Sequence, residues 1–150
     1  MPDLPPEILG ASAWYGPEMA RRTDWIETLN EVEIAEIEAA AHRFSASDID
    51  STALRREHFP LPTFAPRLRR ILDQVLNERG FVLLRGLPVE RWSRREAASA
   101  FLGLGLYWGN LRSQNAQGHL LGHVKDQGLS SKDPNVRIYQ TRERQNYPRS

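Results

Sequence analysis

The sequence contains no cysteine, and that absence removes several kinds of chemistry at once. Disulfide bonds, thiolate nucleophiles and cysteine metal sites are excluded, and a reducing cytoplasm is the compartment that we expect. An excess of charge of one sign is also lacking, because twenty Lys and Arg residues oppose nineteen Asp and Glu residues. The formal net charge of +1 therefore gives no reason to expect nucleic acid or anionic lipid as a partner.

Long apolar runs are missing as well. No stretch approaches the roughly 18 to 20 apolar residues that cross a bilayer, so we expect no membrane partner. The opening MPDLPPEILG has no basic leader followed by an apolar run, and we expect no signal peptide. What is present is a chain of 150 residues, 40% of them hydrophobic, which has the size and composition of one globular domain.

Helix signals dominate the first half of the chain. The first sixteen residues are rich in proline and small residues and are predicted to form an extended arm. A helix is predicted over residues 16–29, with Pro17 near its start. Asn30 and Glu33 have the spacing of a capping box and predict that a second helix begins there. The apolar residues of these two segments are Trp25, Ile26, Leu29, Val32, Ile34, Ile37, Ala40, Ala41 and Phe44.

A helix, a strand and another helix are predicted next. Residues 67–80 form an amphipathic pattern that ends at Gly80, where a left-handed cap costs least. The apolar run FVLLRG that follows predicts a strand buried on both faces. Ser93 and Glu96 repeat the capping-box spacing and begin a helix through REAASAFLGLGLYW. The inward positions of the amphipathic helix are predicted to be Leu68, Ile71, Leu72, Val75 and Leu76.

The pattern changes after this last helix. LRSQNAQG, HLLGHV and NVRIYQT are predicted to be short strands, and KDQGLSSKDPN between them an exposed loop. We therefore expect one domain over residues 1–150, with an arm (1–16), a mainly helical part (17–79) and a strand-helix-strands part (80–150). Helices followed by strands predict the α+β fold class.

Two patterns that could bind ligands are better explained without them. His119 and His123 would share one face of a helix, as in zinc proteases, but no glutamate lies between them and glycines interrupt the pattern. On a strand, about 13 Å would separate their Cα atoms, which is too far for one ion. The basic segment around Arg67, Arg69 and Arg70 lacks an aromatic stacking platform, so a solvated helix face is favoured over phosphate binding.

The order of RGFVLLRGLPVERWS, a helix, SQNAQGHLLGHVKD and DPNVRIYQT resembles the N-terminal half of the taurine dioxygenase-like (TauD/TfdA) family of iron(II)/2-oxoglutarate-dependent oxygenases. The resemblance implies N-terminal helices packed on the first strands of an incomplete double-stranded β-helix, or jelly roll. In intact relatives, iron(II) and 2-oxoglutarate serve the hydroxylation of a small organic substrate. The iron is held there by a histidine, a carboxylate two residues further on and a distant second histidine.

The resemblance also implies that the metal site is lost. Relatives follow the YQT strand with His-Thr-Asp, whereas Pro148 and Ser150 stand at the positions of the first histidine and the carboxylate. We therefore expect an N-terminal fragment that binds neither iron nor 2-oxoglutarate and has no catalytic residue of its own. A deliberately shortened chain and a reading frame that ended early explain this equally well. The alternative is a noncatalytic interaction module whose strand edges pair with a partner chain.

Substrate contacts are implied by the same resemblance. In the family, the segment after the third helix lines the substrate side of the jelly-roll mouth, so its amides would face a small polar substrate. The alternative explanation, which needs no ligand, is that these side chains hydrogen bond to backbone groups of a turn or pack against neighbouring residues. The candidates are Gln114, Asn115, Gln117 and His119, with Tyr139 and Thr141 alternating on a strand that approaches the metal position.

Overall fold

The computed structural model describes residues 9–115, 118–122, 125–136 and 138–142. Its contacts divide the chain into two compact units, Met1–Leu111 and Arg112–Ser150. The first unit contains four helices and two strands in its described part. These are α1 (Gly16–Met19), β1 (Ile26–Thr28), α2 (Glu31–Ser45), α3 (Ala65–Asn77), β2 (Leu83–Arg85) and α4 (Arg94–Gly105), with 3-10 turns at Ser51–Ala53, Arg56–His58 and Val89–Arg91.

The two strands form a parallel sheet in which Ile26 pairs with Leu83. The predicted strand is therefore confirmed at Leu83–Arg85, but the prediction that both of its faces are buried is wrong, because Leu83 is 41% exposed. The helix predicted over residues 16–29 is also wrong beyond Met19. Residues 26–28 are extended because they pair with β2, which is a tertiary contact that local propensity does not contain.

Both predicted capping boxes are present. The Asn30 side chain accepts a hydrogen bond from the Glu33 amide at 2.9 Å, and the Glu33 carboxylate accepts one from the Asn30 amide at 3.0 Å. Ser93 and Glu96 make the same reciprocal pair at the start of α4. Hydrogen bonds from Ser93, with a smaller contribution from His42, lower the pKa of the Glu96 carboxyl to about 2. Helices α2 and α4 therefore begin where the sequence predicted.

The core of the first unit lies where α2 packs against α4, and Leu68 of α3 belongs to its buried cluster. Leu76 was predicted to face inward but is 70% exposed, and Val32, in the apolar pattern of α2, is 58% exposed, because each lies on the outer side of its helix. Trp108 joins α3 to the segment after α4, since its indole N–H donates to the carbonyl of Leu68 at 3.1 Å. The buried apolar cluster consists of Leu29, Ile37, Ala40, Ala41, Phe59, Leu61, Phe64, Leu68, Ala100 and Leu104.

The first turn of α3 is capped by another helix. Its N-cap residue, Phe64, has no side chain that can cap, and the carboxylate of Glu36 in α2 instead accepts the amides of Thr63 and Phe64 at 2.7 and 3.0 Å. A carboxylate also complements the positive end of the helix dipole. At the other end, the predicted cap position is wrong, because α3 ends at Asn77 with Glu78 as its C-cap residue, and Gly80, with φ +85°, lies two residues further on.

Arg67 connects α3 to β1 and α2. Its guanidinium donates to the Glu33 carboxylate at 2.7 and 2.9 Å, to the Glu27 carboxylate at 2.6 and 3.2 Å, and to the carbonyl of Thr28 at 3.0 Å. These carboxylates raise the pKa of Arg67 above its ordinary value, with Glu27 the main cause. The predicted solvated face is therefore wrong for Arg67, although Arg69 and Arg70 are exposed.

Arg67→Met tests the importance of this network for stability. Methionine keeps much of the side-chain volume but leaves the nearly buried Glu33 without its cation, and such uncompensated charges cost about 3 kcal/mol or more. We expect that loss in the free energy of unfolding, measured with urea. Arg69→Met on the exposed side of the same helix is the control and should change it by less than about 0.5 kcal/mol. If both variants lowered the free energy of unfolding by the same amount, the network would not be important for stability.

Gly103 lies where α4 approaches Phe59. A Cβ added at Gly103 would come within 2.3 Å of the ring of Phe59, which is fully buried. In Gly103→Ala, overpacking of about 1 to 3 kcal/mol should outweigh the gain in helix propensity of about 1 kcal/mol. We expect a lower urea midpoint for this variant, whereas Gly109→Ala, which meets no atom within 4 Å, should leave the midpoint near that of the wild type.

The described part of the second unit contains no strand, so the three strands predicted between residues 111 and 141 are wrong there. The one regular element among the described residues of this unit is the 3-10 turn Ile138–Gln140. Residues 125–135 are all exposed and contain several turns, which confirms the predicted loop. Hydrogen bonds between residues close in sequence take the place of strand pairing among the described residues of this unit. For example, the carbonyl of Asp133 accepts the amide of Val136 at 3.0 Å.

Candidate functional site

Three of the predicted substrate-side residues meet in one turn. The Gln114 amide donates to the His119 carbonyl at 2.7 Å, and the His119 amide donates to Asn115 Oδ1 at 3.0 Å. Asn115 Nδ2 also lies 2.9 Å from His119 Nδ1. Gln114 and His119 are exposed, and Asn115 is half-buried. The turn therefore presents an amide and an imidazole together at the surface of this unit.

Gly118 allows this turn to close. It has φ +84°, and its amide donates to the carbonyl of Asn115 at 3.1 Å. A residue with a Cβ would be strained in this conformation. Ser113 stabilises the same carbonyl, because its hydroxyl donates to it at 2.7 Å. The turn thus depends on side-chain bonds to the backbone, which is the alternative that the sequence left open for Asn115.

The other candidates lie apart from this turn in the chain. Thr141 is buried, and its hydroxyl and amide both donate to the carbonyl of Ile138, at 2.9 and 3.1 Å. Tyr139 belongs to the 3-10 turn, so the expectation that Tyr139 and Thr141 alternate along a strand is wrong. A 3-10 turn has three residues per turn, so residues two apart do not share its face. Gln117 and His123 lie outside the described residues.

Asp126 joins the exposed loop to the segment around residue 140, and the sequence analysis did not single it out. Its carboxylate accepts the amide of Gly128 at 2.8 Å and pairs with Arg142. The Gly128 amide and then Arg142 lower the pKa of the Asp126 carboxyl. The amide of Gln127 donates to the carbonyl of Gln140 at 2.8 Å. The Asp-x-Gly spacing was the available signal, because it is typical of an Asx turn.

In the described part of the chain, no three His, Asp or Glu side chains are grouped closely enough to hold a metal ion. His42 is engaged with Glu96 at 3.1 Å, and His58 Nδ1 accepts the amide of Arg55 at 3.1 Å. The two positions that the resemblance assigns to iron ligands, Pro148 and Ser150, lie outside these described residues. Among the described residues, no helix is both long and apolar enough to cross a bilayer.

Comparison with known proteins identifies the class of protein. The family model described as "Taurine catabolism dioxygenase TauD, TfdA family" matches residues 40–144. The chain belongs to this family. The match covers most of the first unit and the turn that contains Asn115 and His119.

Two curated relatives match over much of the chain. A taurine hydroxylase-like protein of Stachybotrys chartarum, SAT17, is 34% identical over 115 residues, which are 76% of this chain and 30% of the relative. FR-33289 synthase of Streptomyces rubellomurinus is 29% identical over 139 residues, which are 91% of this chain and 40% of the relative. The chain thus spans about a third of the length of the curated relatives that it matches.

The Gly118 conformation gives a direct test of the turn. In Gly118→Ala, the left-handed backbone should cost about 1 to 2 kcal/mol. We expect the Gln114 amide, which closes the turn, to exchange with solvent about 5- to 30-fold faster by NMR-detected hydrogen exchange. Gly122→Ala is the matched control, because its Cβ would make only an ordinary 3.8 Å contact. Unchanged exchange in Gly118→Ala would rule out this closure.

Proposed function

We propose that the chain is the N-terminal part of an iron(II)/2-oxoglutarate-dependent dioxygenase whose intact relatives hydroxylate a small organic substrate. The observation that carries the proposal is the family match over residues 40–144. The relative described as taurine hydroxylase-like supports a small polar substrate class. A cytoplasmic location is part of the proposal, since the sequence contains no cysteine.

The proposed contribution of this chain is structural and substrate-facing. The first unit would supply helices and the first strands of a jelly roll, and the second unit would supply the substrate-side turn. Gln114, Asn115 and His119 remain the proposed substrate-side residues of that turn, together with Gln117, Tyr139 and Thr141. The exposed amide and imidazole of Gln114 and His119 support this role because they can hydrogen bond a polar ligand.

We further propose that this chain does not assemble the metal site by itself. Pro148 and Ser150 stand where the family places two of its iron ligands, and both lie outside the described residues. Proline has no ligating group, and a neutral serine hydroxyl is a weak replacement for a carboxylate. Iron and 2-oxoglutarate are therefore assigned to intact relatives.

A segment exchange tests the proposed role. The matched segment of the taurine hydroxylase-like relative would be replaced by residues of this chain, and succinate release would be measured with iron(II), 2-oxoglutarate and taurine. We expect the chimera to release succinate above a metal-free control, while the 150-residue chain alone does not. Turnover by the chain alone would refute the lost-ligand assignment. A folded, iron-loaded chimera without turnover would refute the dioxygenase assignment for this segment.

The second candidate is a noncatalytic module that pairs with a partner chain through a strand edge. The exposed Leu83 on a sheet of two described strands favours it, because such edges can accept a further strand. Size-exclusion chromatography distinguishes the two candidates. A module should co-elute with one specific partner, and Leu83→Lys should abolish that complex.

A further inference from the structure

The side chain of Asn115 bonds twice to the same residue, His119. Asn115 Oδ1 accepts the His119 backbone amide at 3.0 Å, and Asn115 Nδ2 lies 2.9 Å from His119 Nδ1. A backbone N–H is always a donor. Turning the amide over would place Nδ2 against this N–H, so that two donors would face each other. The backbone of His119 therefore sets the orientation of the Asn115 amide.

The orientation of the amide in turn sets the tautomer of the imidazole. Because Nδ2 of Asn115 can only donate, Nδ1 of His119 must accept, and a neutral imidazole that accepts at Nδ1 carries its proton on Nε2. His119 is exposed, and the hydrogen bonds of the described residues do not use its Nε2. The turn therefore presents an N–H donor at a fixed position on the imidazole ring.

We infer that Asn115 is a positioning residue, which holds His119 in the Nε2–H tautomer so that the ring donates a hydrogen bond to an oxygen of the substrate. The ligand part of this inference rests on the proposed function, whereas the tautomer follows from the turn alone. The substrate class that fits is a small molecule with an anionic oxygen, such as a sulfonate or a carboxylate. Asn115 then acts through His119 and does not itself contact the substrate.

The chain contains its own reference for the tautomer. His58 Nδ1 accepts the backbone amide of Arg55 at 3.1 Å, which also requires the Nε2–H form. His58 belongs to the first unit, whereas the Asn115 turn belongs to the second. Its ring signals should therefore report the Nε2–H tautomer in every variant of Asn115.

The experiment is NMR of the full chain with 15N- and 13C-labelled histidine, at a pH of about 8.5, where ordinary imidazoles are neutral. His119→Gln assigns the His119 signals among the four histidines. We expect the wild type to show Nε2–H at His119. Asn115→Asp should move the proton to Nδ1, because a carboxylate oxygen can only accept there. Asn115→Ala should give the mixture of an unconstrained ring, with His58 unchanged in both variants.

Two results would overturn the positioning role: Nδ1–H in the wild type, or the same tautomer ratio in wild type, Asn115→Ala and Asn115→Asp. The ligand part is tested separately by adding taurine to the same samples. We expect taurine to shift the His119 ring signals in the wild type and to leave them unshifted in Asn115→Asp. No shift in the wild type would overturn the substrate contact while the tautomer result stands. A chimera that releases no succinate would instead contradict the proposed function and leave the tautomer result unaffected.

Discussion

A single guanidinium connects three elements of the first unit. Arg67 extends from α3 to carboxylates on β1 and α2, and one of them, Glu33, also completes the capping box that begins α2. Three elements therefore share one set of hydrogen bonds. Because Glu33 is 4% exposed, its negative charge is stable in this position only with a cation beside it. The position of β1 relative to α2 and α3 therefore depends on these ion pairs.

Local signals in the sequence predicted local structure well. The starts of α2 and α4 are specified within four residues by Asn30 with Glu33 and by Ser93 with Glu96, and both capping boxes are present. What could not be predicted depends on distant partners. Residues 26–28 follow a helical pattern but pair with β2, and Arg67 was assigned to solvent because its carboxylate partners lie more than thirty positions away.

The substrate-side residues stay predictions, although three of them lie together in the structure. The family resemblance directed attention to Gln114, Asn115 and His119, and the structure brings these three into one turn. The resemblance did not distinguish residues that would contact a substrate from residues that hold those contacts in place. That distinction needed atom-level bonds, because the side-chain amide of Gln114 donates to the Arg112 carbonyl whereas that of Asn115 contacts His119. Tyr139 and Thr141 were predicted to lie on a strand, but Tyr139 belongs to the 3-10 turn Ile138–Gln140 and Thr141 follows that turn directly.

The parallel sheet has a consequence for how the first unit forms. Ile26 pairs with Leu83, and α2 and α3 lie between them in the chain. Closing so long a loop costs conformational entropy before any backbone bond between the strands repays it. Contacts at such sequence separation raise the contact order and slow folding. A nascent chain must therefore emerge through β2 before β1 gains its neighbour, while α2, with its own capping box, can form earlier.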